Sequence, residues 1–143
     1  MAIRQLTVFV ENKQGSMVSV TDVLSRNNVN IRALSIAETE DFGILRLIVN
    51  DEATAVKTLE EDGRLIKITE VVGVKIGDAP GKLSYVLRTL ADAGINMEYL
   101  YAFMARTERH AYVVQRVENN EETEAVLEKA GLHIITDADV NKL

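Results

Sequence analysis

The sequence repeats itself. Sliding it by 66 positions superimposes Asn12 on Asp78, Gly15 on Gly81, Met17 on Leu83, Leu24 on Leu90, Asn30 on Asn96 and Leu34 on Leu100. Past the following hairpin the offset becomes 68, placing Val49 on Val117, Leu59 on Leu127 and Gly63 on Gly131, so the second copy carries two extra residues near Thr107-Glu108-Arg109. A duplication of this kind constrains the fold before any other feature, because each copy must build the same supersecondary unit. Each copy of roughly 70 residues is close to the lower limit for an independent core, so the two are expected to pack on one another.

The second copy shows most clearly what the unit is. Val71, Val72, Val74 and Ile76 form a β-branched run, which Gly77-Asp78-Ala79-Pro80-Gly81 stops with the only proline of the chain. Leu83, Val86, Leu87 and Leu90 then fall on one helical face, predicting a helix over about 81–93 with Gly94 at its end. Strands at about 96–105 and 110–118, an acidic-capped helix Glu121–Lys129 and the strand His133–Ile135 complete the copy. In the first copy the same reading gives a strand Ile3–Val10, the turn Glu11–Gly15, a helix Ser16–Arg26 stopped by Asn27-Asn28, and a strand through Ile31 and Ile36. A polar hairpin turn at Glu40-Asp41-Phe42-Gly43, a strand Ile44–Val49, a helix started by Asn50-Asp51 and ended by Gly63, and a strand Leu65–Ile68 follow.

The order is βαββαβ, twice, with domains at 1–69 and 70–143. Strands joined through a helix run parallel with a right-handed crossover, and the central pair forms a hairpin, which predicts an α/β (α+β) fold of two ferredoxin-like units. Thr69-Glu70 contains no glycine, proline or serine run, so no flexible linker is expected. The antiparallel sheets are expected side by side, with helices on one face and strand edges protected.

The strand-to-helix turn is where chemistry is expected. The first N–H groups of a helix lack internal partners and carry the positive end of its dipole, so such a turn can hold an anion. Gly81 allows close approach to the backbone, and the Asp78 carboxylate can accept from an ammonium group or cap the helix. Asp-x-Pro-Gly is also good turn chemistry without any ligand. Its occurrence in both copies is what favours a functional reading.

Composition narrows the classes. With 47% hydrophobic and 27% charged residues the chain reads as a soluble globular protein, and no apolar run nears the length of a membrane helix. No signal peptide is visible and there is no cysteine, which excludes disulfides and thiolate chemistry and makes a cytoplasmic location the expectation. A formal charge of −6 without a clustered basic face speaks against nucleic acid.

Asn/Asp-x-x/Pro-Gly-x-Leu/Met after strand one, and Gly/Asn-x-Asn-Ile/Met before strand two, resemble the ACT-domain family over the whole chain, in duplicate. The resemblance implies units that pair side by side and bind a free amino acid at the interface between units, regulating amino-acid metabolism or transport. It implies ligand-binding positions at Asn12, Lys13, Gln14, Gly15, Ser16 and Met17, at Asp78, Ala79, Pro80, Gly81, Lys82 and Leu83, and at the strand entries Asn30, Ile31, Asn96 and Met97. Gln14 stands where the pattern has proline, so the first turn departs from it and the second fits well. Family members commonly attach such units to a catalytic domain; none is present in this sequence, which implies a sensor acting on a separate metabolic enzyme. A homodimer is expected because two small units leave strand edges and the aromatics Tyr99, Tyr101 and Phe103 to be covered. The chemistry is coherent beside the resemblance: helix-start N–H groups suit a carboxylate, Asn12 or Asp78 an ammonium, and the amide of Asn30 or Asn96 from a facing copy either one. As plain structure, those asparagines merely turn the chain from helix to strand.

The remaining candidates read as structural. His110 and His133 lack metal-ligand spacing, so no metal and no cofactor are expected. Tyr99, Tyr101 and Phe103 alternate on one strand face and suit core packing or a dimer interface before a ligand pocket. Arg106, Arg109 and Arg116 suggest a solvated basic patch at the second hairpin, and Glu118–Glu124 a favourable helix start. No nucleophile–base–orienter set assembles, so the chain is not expected to be an enzyme. An acylphosphatase-like activity would need an arginine-bearing loop after strand one, where only Lys13 and Lys82 stand. The remaining rival is a ligand-free assembly module that holds a partner enzyme through its sheet edge.

Overall fold

The computed structural model describes residues 2–38, 41–104 and 109–143. The chain divides into one unit of residues 4–69 and another of residues 70–143 together with the residues up to Ile3.

In the first unit, β1 (Ile3–Glu11) leads through a turn into α1 (Ser16–Arg26), which returns the chain to β2 (Ile31–Glu38). β3 (Phe42–Val49), α2 (Glu52–Glu61) and the opening of β4 (Leu65–Gly77) follow. β3 lies antiparallel between β1 and β2, with Leu6 opposite Leu47 on one side and Leu34 opposite Leu47 on the other. Period-two alternation turns Leu6, Val8, Val10, Leu45 and Leu47 toward the helices, where Val20, Val23 and Leu24 of α1 and Ala55 and Leu59 of α2 complete the core. Asp51 caps α2 by accepting the Thr54 N–H at 3.1 Å, which satisfies one of the orphan donors at that end.

The second unit repeats this trace. The remainder of β4, α3 (Lys82–Asp92), β5 (Met97–Ala102), β6 (His110–Val117), α4 (Asn120–Lys129) and β7 (His133–Ile135) form an antiparallel sheet in which β6 joins β5 to β4 and β7 pairs the free side of β4. Val72, Val74, Ile76, Val113 and Val117 meet Val86 and Leu90 of α3 and Leu127 of α4 in the core. On the other face of β4, Gly73 has no room for a Cβ, because the Ile3 and Ile135 side chains occupy its place.

Four details depart from the sequence reading. The strands expected at 65–68 and 71–76 are one continuous strand, because Thr69 is itself a good strand former and nothing in the segment turns the chain. Phe42 and Gly43, expected in the hairpin turn, already pair with Glu11 and Val10 in β3; Glu40 lies outside the described residues. β5 ends at Ala102, so Phe103 and Met104 lie outside the strand expected to reach residue 105, which itself is outside the described residues. A short helix, α5 (Asp137–Val140), appears where the pattern showed none, held by a capping box between Thr136 and Asp139.

Candidate functional site

The two strand-to-helix turns have matching geometry. Gly15 and Gly81 are the N-caps of α1 and α3 with φ of +85° and +89°, a left-handed conformation that favours glycine. A Cβ at either would meet nothing within 4 Å, so backbone handedness and not crowding selects the residue. Ser16 N–H donates to Lys13 O and Lys82 N–H to Ala79 O, each at 3.2 Å, and the first α-helical bonds are Ser19 N–H to Gly15 O and Tyr85 N–H to Gly81 O. The N–H groups of Met17, Val18, Leu83 and Ser84 therefore have no preceding helix carbonyl and carry the dipole's positive end. Asn12 N–H donates to Asp41 O at 3.3 Å and Asp78 N–H to Arg109 O at 2.8 Å, tying each turn to the hairpin of its unit.

Asp78 is not the helix cap: that position belongs to Gly81, which has no side-chain cap bond. The Asp78 side chain is exposed and unbonded among the described residues, which leaves its carboxylate as an available acceptor. In the first turn the local charges are already matched. Lys13 Nζ pairs with Glu11 at 2.9 Å, and its hydrogen bond and charge hold the Glu11 carboxyl below the usual range. Gln14 is exposed, Ser16 is buried and Met17 packs on the first core, whereas Ala79, Pro80, Lys82 and Leu83 are all exposed. Lys82 lies back across Gly77, where a Cβ would stand 3.3 Å from its Cε.

The strand-entry asparagines sit elsewhere. Asn30 exchanges two bonds with Asn50, its N–H donating to Asn50 Oδ1 at 2.9 Å and its carbonyl accepting the Asn50 N–H at 3.1 Å. Asn96 opens on a concavity of about 890 Å³ between the end of α3, the start of β5 and the start of α4. Ile31 and Met97 pack against their respective cores. At about 3.3 Å per residue, the eight residues of β2 separate its asparagine end from its hairpin end by roughly 23 Å. No unit brings its own turn to its own asparagine.

Tyr99 and Tyr101 stack with ring centroids 6.4 Å apart, and Tyr101 is buried, as packing residues would be. Phe103 lies beyond β5, tied by its N–H to Tyr112 O. The expected arginine patch is not one patch: Arg109 precedes β6, Arg116 lies near its far end beside Glu98, and Arg106 lies outside the described residues. Among the described residues no group of three His, Cys, Asp or Glu side chains could hold a metal, and no helix is long and apolar enough to cross a membrane. The pattern reading did not find that His110 and His133 share a concavity of about 530 Å³ with Lys75 and Lys82. The pairing of β7 with β4 would have revealed it, and that pairing has no local signal.

Two ferredoxin-like units, each opening its first helix on a left-handed glycine, define the class: a duplicated α/β module without a recognisable catalytic constellation among the described residues. A family model described as an ACT domain pair matches residues 1–143, and the chain belongs to that family. It is similar to a protein of known structure from Bacteroides thetaiotaomicron, with 39% identity, a TM-score of 0.92 and coverage of 100% of this chain and 98% of the other. The regulatory subunit of aspartate kinase from Thermus thermophilus shares the fold at a TM-score of 0.66 and 15% identity, over 90% of this chain and 92% of that one. The acetolactate synthase small subunit of Mycobacterium avium is 27% identical over 100 residues, 68% of this chain; the match spans 60% of that relative's length.

Proposed function

We propose that the protein is a non-catalytic regulatory sensor that binds a free amino acid at the turn Asp78–Leu83, and more weakly, or not at all, at Asn12–Met17. The observation carrying this reading is the second turn itself. A left-handed Gly81 opens α3 with uncapped N–H groups fit for a carboxylate, three residues after an exposed Asp78 carboxylate that has no partner among the described residues and is fit for an ammonium. In the first turn Lys13 and Glu11 neutralise each other and no proline stiffens the loop. Because each unit keeps its turn and its strand-entry asparagine at opposite ends, a ligand using both takes the asparagine from another copy of the fold. The relative named as an acetolactate synthase small subunit supports a role in controlling a separate enzyme; the sensor itself is proposed to be a homodimer, which covers its exposed strand edges.

Thermal melting of the purified chain against each free amino acid tests the reading. A ligand at about 100 times its Kd adds about 2.7 kcal/mol, a rise of roughly a few degrees for a chain of this size. Gly81→Val, once circular dichroism shows it folded, is expected to lose that rise, and Asp78→Ala to reduce it. Undiminished affinity in both folded variants would move the site away from this turn. If no amino acid shifts the melting, the ligand-free assembly module becomes the better account.

A further inference from the structure

Beside its turn, the second unit gathers basic side chains that the fold does not require. Lys75, Lys82, His110 and His133 line one concavity of about 530 Å³. The strand register explains the convergence. Lys75 stands opposite His133 of β7, and Gly77 stands opposite His110 of β6. Directly opposed side chains of an antiparallel pair have Cβ atoms about 4.5–5.5 Å apart. From the first turn of α3, Lys82 reaches back over Gly77, which lacks the Cβ that would crowd it. Tyr85, on the same helix, closes one side and is fixed by its hydroxyl donating to Ala130 O at 2.8 Å.

The Asp139 carboxyl, held below its usual range chiefly by the Thr136 N–H, also feels the charge of His133, so the cluster is only partly balanced. None of the four basic groups forms an ion pair among the described residues. The Asp139 carboxylate is turned to Thr136, accepting its N–H at 2.9 Å and its hydroxyl at 3.1 Å. At the corresponding positions of the first copy stand Phe9, Ser16, Phe42 and Leu65, so the duplicated scaffold folds with no charge in this place. Nor is the cluster a by-product of a basic chain, since the net charge is −6.

We propose that this basin is a binding site for a small multivalent oxyanion, a phosphate monoester or a dicarboxylate. The two ammonium groups supply charge, and imidazole N–H groups from two different strands supply directed hydrogen bonds. The basin adjoins the amino-acid turn and shares Lys82 with it, but Lys75, His110 and His133 come from β4, β6 and β7, which the turn does not use.

The test is an NMR titration of the full-length, nitrogen-labelled chain with inorganic phosphate and, separately, with succinate, at constant ionic strength. Saturable shifts confined to the amides of Lys75, Gly77, Lys82, His110 and His133 are expected in the millimolar range or tighter, and the tighter-binding anion identifies the class. Lys75→Gln with His133→Leu should weaken binding at least about tenfold, the rest of the spectrum showing an intact fold. The same double variant should keep any melting shift given by a free amino acid, and an amino-acid screen that finds nothing leaves the titration fully readable. Absence of saturable shifts with both anions, equal shifts in the double variant, or the same shifts from chloride alone would overturn the proposal.

Discussion

In the first unit Leu47, Ala55 and Leu59 sit together in a wholly apolar core; the second unit places Gln115, Thr123 and Leu127 at the corresponding positions. Gln115 is fully buried with neither amide atom bonded, and the hydroxyl of the equally buried Thr123 is also without a partner. The surfaces differ in the opposite sense. The first unit closes its corners with Arg4–Glu52, Lys13–Glu11 and the reciprocal Asn30–Asn50 bonds. The second, among the described residues, leaves the Asp78 carboxylate unpaired and lines a concavity with Lys75, Lys82, His110 and His133. One trace thus supports a copy whose core face is apolar and a copy with an unbonded amide and hydroxyl on the same face and unmatched charge outside. A duplicated module can divide its roles in this way, because packing lost in one half is tolerated while the other stays intact.

The core difference offers the largest effect. Leu47→Gln should cost the first unit roughly 2–3 kcal/mol by burying an amide without partners, whereas Gln115→Leu should stabilise the second by about 1–2 kcal/mol. Urea unfolding with residue-resolved hydrogen exchange reads both. A Gln115→Leu variant that loses stability would mean the amide is satisfied in solution, and the contrast between the cores would collapse.

The turns come next. Gly15→Ala and Gly81→Ala should each cost about 1–2 kcal/mol, and by the same amount, because each glycine is left-handed and neither is crowded. Only Gly81→Ala should also diminish the melting shift from a free amino acid. Equal loss of that shift from both would make the turns functionally equivalent and remove the asymmetry proposed for them.

The smallest effect is one of pH. Hydrogen bonds from Thr54 hold the Asp51 carboxyl below its ordinary value near 3.8, whereas the matching cap in the second unit is Asn119, which does not titrate. A depressed folded-state value means the contribution is full above the unfolded value and is lost as pH falls through the folded one. Amide exchange at Thr54 should therefore accelerate below about pH 4 while exchange at Glu122 changes less, and Asp51→Asn should abolish the difference. Parallel acceleration at the two caps would show that the acid effect is global.

The elements were legible wherever a local signal marks both ends. The stripe Met17, Val20 and Leu24 between Gly15 and Asn27 predicts α1 at its observed span, and His133–Ile135 is a strand as expected. Reading failed where two signals competed. Asp78 has good capping chemistry, yet the left-handed Gly81 takes the cap position and leaves Asp78 to the solvent. Thr136-Asp137-Ala138-Asp139 contains a capping box, but the helix behind it is too short for any hydrophobic period.

By itself the sequence determined the duplication, the βαββαβ order and the places where the backbone must turn left-handed, because period, composition and glycine act over a few neighbouring residues. Only the tertiary structure decided which of those residues meet. That Lys75 faces His133, that each turn lies far from its own asparagine, and that Gln115 is orphaned inside a core all depend on the register between strands distant in the chain. Register is chosen by the best joint burial of many side chains at once, and no local pattern encodes that choice.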